Sequence, residues 1–194
     1  LSLYKDSQGY MWVSTYGFGV YRIDPRDFSL RHFSTDNGLT NNNVMHISGT
    51  GETIWLATLG GGANKIKLKD DFPIKTITTE SGLASNYLYA TYTDSRKRVW
   101  FAQDGGGLAS LHNGEFTRYE SAHGLFSQVI YGITEMGDGS VWCTTDDEGV
   151  YRFRKDTFIH YTTRDGLISN EITALHQSRN GDVIFVSNLG ISVF

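Results

Sequence analysis

The sequence predicts an all-β fold, a β-propeller of four-stranded antiparallel blades, and three observations predict it. The first is a period. Tryptophans stand at 12, 55, 100 and 142, at intervals of 43, 45 and 42, and 42 residues further on the same slot holds Ile184. The second is a pair of markers that recur in register. One surrounds the tryptophan: GYMWVSTYGFGVYRI, ETIWLATLGGGANKI, RVWFAQDGGGLASL, SVWCTTDDEGVYRF and DVIFVSNLGISVF. The other reads GLTNNNV at 38–44, GLASNYL at 82–88, GLFSQVI at 124–130 and GLISNEI at 166–172. The third is the content of each period: short runs of β-branched and aromatic residues between turn signals, with no sustained 3.6-residue apolar spacing. Helices are therefore expected to be nearly absent, and four strands per unit of this length is the signature of a propeller blade.

The elements follow in order. In the third unit the strands read YLYATYTD, RVWFAQ, GLASLH and FTRYE, with the first pair joined through the polar turn Asp94-Ser95-Arg96-Lys97. Runs such as MWVST and TIWLAT alternate poorly, as strands do when both sheet faces are covered by neighbouring blades. The blades are expected at about 1–43, 44–87, 88–129, 130–171 and 172–194. The last holds only three strands, ITALHQ, VIFVS and ISVF, so the expectation is four complete blades and an incomplete fifth. An open ring leaves an exposed sheet edge. The expected explanation is a fragment of a larger propeller; the alternative is closure by pairing with a second copy.

The triple glycine at 105–107 follows an aspartate behind an apolar strand, which suits a phosphate-cradling loop. A phosphate loop occurs once and opens a helix. Here the slot recurs as Gly60–Gly62, as Tyr16–Gly19 and as Asp147–Gly149, and each copy leads into a strand. The glycines are read as tight strand connections that need positive φ.

Composition narrows the function. The formal charge is −4 and the 17 basic residues are scattered, which disfavours nucleic acid as a partner. No apolar run approaches the ~20 residues of a membrane helix, and no signal peptide is visible at the N-terminus. The single cysteine, Cys143, excludes an internal disulfide and any multi-cysteine metal site; behind Trp142 it reads as buried filler rather than a catalytic thiol. The six histidines show no zinc-like spacing, and His32 and His160 occupy equivalent outer-strand positions.

The combined pattern, Gly-Leu-x-Ser-Asn before the first strand and Trp-x-x-Thr-x-x-Gly-Gly after it, resembles the two-component regulator propeller repeat. The resemblance covers essentially the whole chain. Gln103, Gln128 and Ile184 depart from it at the threonine, asparagine and tryptophan slots, which puts details of blade packing in doubt. The resemblance implies the periplasmic sensor region of a hybrid two-component histidine kinase of Bacteroidetes, in which such repeats form seven-bladed propellers. It implies recognition of oligosaccharides or another small ligand, signalling as a homodimer, no catalysis in this segment and no cofactor.

Candidate site residues come from the positions that vary while the scaffold repeats. Between the second and third strands these are Tyr16 and Phe18, Leu59, Asp104, Asp146, Asp147, Glu148 and Asn188. Asn42, Asn86 and Asn170, together with Asn41, precede the first strands; they are read chiefly as turn caps, and as candidates because those turns ring one mouth of the channel. The trio Asp146-Asp147-Glu148 lacks the spaced ligands of a calcium loop, so no metal site is expected. The tryptophans are expected in the core between blades rather than stacked on ligand. Two rival classes stand beside the sensor: a glycan-active propeller lyase or hydrolase, and a protein-interaction scaffold.

Overall fold

A computed structural model describes residues 1–69 and 71–194. Among the described residues nineteen strands form five antiparallel sheets in chain order. Blade one contains β1–β4 (Leu3–Lys5, Met11–Ser14, Val20–Ile23, Leu30–Phe33). Blade two contains β5–β8 (Val44–Thr50, Thr53–Thr58, Gly62–Lys67, Ile74–Ile77). Blade three contains β9–β12 (Leu88–Thr93, Val99–Gln103, Leu108–His112, Glu115–Tyr119). Blade four contains β13–β16 (Ile130–Glu135, Val141–Thr145, Val150–Arg154, Thr157–Tyr161), and blade five β17–β19 (Ile172–Gln177, Val183–Ser187, Gly190–Val193). The chain is a β-propeller segment. First strands of successive blades meet one another, β5 with β9 and β9 with β13, so they form the inner wall.

The core is divided among the seams between blades. Trp12, Val20 and Phe33 of blade one pack with Ile47, Ile54 and Leu56 of blade two. Trp55, Ala57 and Leu83 meet Leu88 and Phe101. Trp100, Leu108 and Tyr119 meet Ile130, Cys143 and Phe153, and Trp142, Val150 and Leu167 meet Ile172 and Phe185. Alternation explains the near-continuous apolar strands: along β6, Ile54 and Leu56 face one seam while Trp55 and Ala57 face the other. The tryptophans thus sit in the seams, all at most 4 % exposed. In blades one, three and four an aromatic residue of the fourth strand lies on the blade's tryptophan: Phe33 on Trp12, Tyr119 on Trp100 and Tyr161 on Trp142, with ring centroids 5.2–5.3 Å apart.

The indole N–H groups of Trp12, Trp100 and Trp142 are held by the turn between the first and second strands of their blades. Asp94 lies in the β9–β10 turn with its side chain fully buried. Its Oδ1 accepts from the main-chain N–H groups of Arg96 and Arg98, and its Oδ2 accepts from Arg98 Nε at 2.7 Å and Trp100 Nε1 at 2.9 Å. Asp6 does the same for Gln8, Tyr10, Arg22 and Trp12 in blade one. In blade four Ser140 accepts from Trp142 Nε1 and passes the bond to Asp138, which also pairs with Arg152.

Among the described residues there is no α-helix, but four single-turn 3-10 helices, Thr35–Asn37, Thr79–Ser81, Ser121–His123 and Thr163–Asp165, join each complete blade to the next. They account for the Gly-Leu marker. The glycine ends the turn at positive φ, as Gly82 does at +126°, and the leucine after it drops into the seam: Leu39, Leu83, Leu125 and Leu167 are all buried. Three-residue turns were invisible to periodicity because they are shorter than one apolar repeat.

Cys143 is fully enclosed in the seam between blades three and four, and burial pushes its thiol up to about 12. At pH 8 only about one thiol in 10⁴ is then ionised. Native protein is expected to resist iodoacetamide at that pH and to be modified stoichiometrically once unfolded in denaturant; fast labelling of the folded chain, read by mass spectrometry, would contradict this placement.

Candidate functional site

One mouth of the channel is built from the second-to-third-strand loops and the blade-to-blade turns. The two are stitched together: Gly19, Gly62, Gly107 and Gly149 donate their N–H groups to the carbonyls of Asn42, Asn86, Gln128 and Asn170 in the following turn. Three of these residues also use their side chains locally. Asn42, Asn86 and Asn170 accept through Oδ1 from the first N–H of the 3-10 turns, Thr35, Thr79 and Thr163, at 2.8–2.9 Å. The asparagines therefore cap, and their acceptor oxygens face the chain rather than the channel. His32 and His160 likewise serve the repeat. Each contacts a loop carbonyl, of Phe18 and Glu148, while stacking on Tyr21 and Tyr151.

The side chains that do reach the mouth are set by a repeated irregularity. In β5, β9, β13 and β17 the pairing with the second strand slips after the first residue, leaving Met45, Tyr89, Tyr131 and Thr173 without ladder partners. Such a bulge re-aims its extra side chain. In each blade that residue has a counterpart directly after the second strand: Leu59 for Met45, Asp104 for Tyr89, Asp146 for Tyr131 and Asn188 for Thr173. The pairs match in chemistry, apolar with apolar, phenol with carboxylate, hydroxyl with amide.

Blades three and four bring their pairs together. Tyr89 donates its hydroxyl to Asp104 Oδ2 at 3.1 Å, and its ring meets Tyr131 edge-on at 4.7 Å between centroids. Burial, then the Asp104 hydrogen bond, raises the Tyr89 phenol to about 12, and Asp146 adds to the effect. Burial, then Asp146, raises Tyr131 as well. Both phenols are neutral hydrogen-bond donors at physiological pH, and Tyr131 remains 40 % exposed.

Of the predicted candidates, Asp104 and Asp146 enter this cluster. Asp147 and Glu148 are exposed beside it, Asp147 in a left-handed conformation at φ 58°. Tyr16 and Phe18 are exposed on the blade-one loop, two blades away, and Asn188 donates to Glu171 Oε2 at 3.0 Å in blade five. Tyr89, Tyr131 and Glu171 are not among the predicted candidates; the signal for the two tyrosines is their place after Leu88 and Ile130, where blades two and five have methionine and threonine. The formal charge of the whole chain also concealed this face. Its loops and turns, 15–19, 34–43, 58–62, 78–87, 103–107, 120–129, 145–149, 162–171 and 187–190, carry nine carboxylates and one base, Arg164. Among the described residues no three His, Cys, Asp or Glu side chains converge to hold a metal, and no helix is long and apolar enough to cross a membrane.

Residues 1–17 match the family model described as two component regulator propeller. The markers of that first unit recur in register through the other four. In structure the propeller is similar to the extracellular domain of a putative hybrid two component system from B. thetaiotaomicron, at 19 % identity and a TM-score of 0.82, covering 100 % of this chain and 28 % of that one. A second such domain from the same organism gives 16 % identity and 0.78, covering 100 % of this chain and 30 % of the other. Virginiamycin B lyase from Staphylococcus aureus gives 15 % identity and 0.75, over 100 % of this chain and 68 % of the lyase. At these identities the likenesses establish the propeller fold, and the chain spans under a third of either B. thetaiotaomicron domain. A search of curated protein sequences found no match.

Proposed function

We propose that this regulator-propeller segment is the ligand-recognising part of the extracytoplasmic region of a hybrid two-component sensor, facing the periplasm and transmitting occupancy of its mouth through a dimer to a histidine kinase. The observation that carries the reading is the Tyr89–Asp104 and Tyr131–Asp146 cluster, which bulges place at one mouth of the ring. Aromatic faces beside carboxylate acceptors suit a sugar: the ring packs on the apolar face of a pyranose and the carboxylates accept its hydroxyls. The structural likeness to extracellular domains of hybrid two component systems supports the setting.

The same groups argue for binding rather than turnover. A lyase or hydrolase at this mouth needs a general base poised near the working pH. Tyr89, at about 12, remains protonated, and the outer-strand histidines His32 and His160 are engaged by loop carbonyls.

The reading is tested by screening a panel of oligosaccharides by calorimetry against the chain and its Asp104→Ala, Asp146→Ala variant. A ligand is expected to bind the parent and lose roughly tenfold or more in affinity with the variant, on the order of 1–3 kcal/mol for two unmade charge-assisted hydrogen bonds. Equal affinity for both proteins would remove the mouth from the reading. Consumption of any panel member would restore the enzyme alternative.

A further inference from the structure

We infer that the ligand of this mouth presents a cation, an ammonium group seated against the Tyr89 and Tyr131 rings between Asp104 and Asp146; the inference rests on the mouth being the recognition site. Two independent observations lead to it. The first is aromatic. Tyr89 and Tyr131 meet edge-on at 4.7 Å, giving a corner of two π-systems, and Tyr131 keeps 40 % of its surface open. A cation over such faces is attracted by the ring quadrupole, most strongly for tyrosine and tryptophan when partly desolvated.

The second is the absence of compensation. Asp104 and Asp146 each act on both tyrosines, so two negative charges share one corner. Among the described residues none of the ion pairs reaches either carboxylate. On the opposite face, by contrast, the buried Asp6, Asp24 and Asp94 and the more exposed Asp138 are each matched by an arginine of their own blade. The one base among the mouth loops and turns, Arg164, lines a groove with Glu148 and Asn170 rather than the tyrosine corner. The fold supplies arginine partners where aspartates are structural and withholds them at the mouth. A field of one sign concentrates the opposite charge, and a neutral sugar would leave that field unanswered.

An ammonium of this kind comes either from an amino sugar or from a lysine side chain. Three probes separate them: the disaccharide of β-1,4-linked glucosamine, its di-N-acetyl form, and tri-lysine, titrated by calorimetry at about 20 mM and about 200 mM salt. The free-amine disaccharide is expected to bind roughly tenfold or more tightly than the acetylated one at low salt, with the gap shrinking at high salt. The Asp104→Asn, Asp146→Asn variant, which keeps side-chain shape, should abolish the preference. Tri-lysine outbinding the amine disaccharide would assign the cation to a peptide. Equal binding of the free and acetylated disaccharides, weakened alike by the variant, would overturn the cation and leave the mouth reading standing. Failure of both amine probes to bind at about 10 mM would overturn it outright, whatever the neutral sugar does.

Discussion

Replacing Asp94 with alanine is expected to destabilise the chain by about 3–5 kcal/mol, the range for breaking a buried ion pair from one side. The carboxylate is the common acceptor for four donors, two main-chain N–H groups, the Arg98 guanidinium and the Trp100 indole, and its side chain has no solvent exposure. Water cannot take its place without opening the seam. Arg98 lies 4.8 Å from the Trp100 ring and 5.2 Å from that of Phe153, so the released guanidinium is left against aromatic carbon. Asp94→Asn keeps an acceptor for the indole and loses the charge, so its effect should be smaller than that of alanine. Urea unfolding followed by tryptophan fluorescence measures both. A loss under about 1 kcal/mol for Asp94→Ala would mean the network is replaceable and the seam is held by packing alone.

Gly62→Ala should be nearly as damaging, for a reason that one control isolates. Gly62 has φ +72° and a Cβ there would overlap the Ile77 carbonyl oxygen of β8. Gly105 has φ +73° in the same loop of the next blade, with nothing within 4 Å of its Cβ position. Both substitutions carry the left-handed penalty of about 1–2 kcal/mol. Only Gly62→Ala must also push the fourth strand aside, which adds about 1–3 kcal/mol of overpacking. The prediction is therefore a difference: Gly62→Ala measurably less stable than Gly105→Ala in the same titration. Equal losses would show that φ alone dictates the glycine and that β8 yields freely.

The same two glycines show what the sequence could reveal. The period, the four-strand unit and the tryptophan seams were legible because each is written several times, and repetition separates scaffold from accident. Gly105–Gly107 could be read as a turn from its copies, yet nothing in the text distinguishes the glycine that must be glycine from the one that only prefers it. Asp94 was legible as a turn residue but not as a seam acceptor, since that role depends on an indole six positions on being folded back over the turn. The mouth was half legible. Loop positions that vary pointed to Asp104 and Asp146, whereas Tyr89 and Tyr131 were hidden inside strands whose alternation implied burial. A one-residue slip in pairing turned them outward, and no local sequence signal encodes that slip. The asparagines were legible as turn caps: each Oδ1 is committed to the first turn of its own connection.

That stitching of loop to turn has a mechanical consequence. The N–H of each loop glycine belongs to one blade and its acceptor carbonyl to the connection into the next, where in three of the four cases the acceptor is an asparagine that also pins the 3-10 turn. Each such bracket straddles two blades, so a load placed on one rim loop is shared with the connection into the following blade.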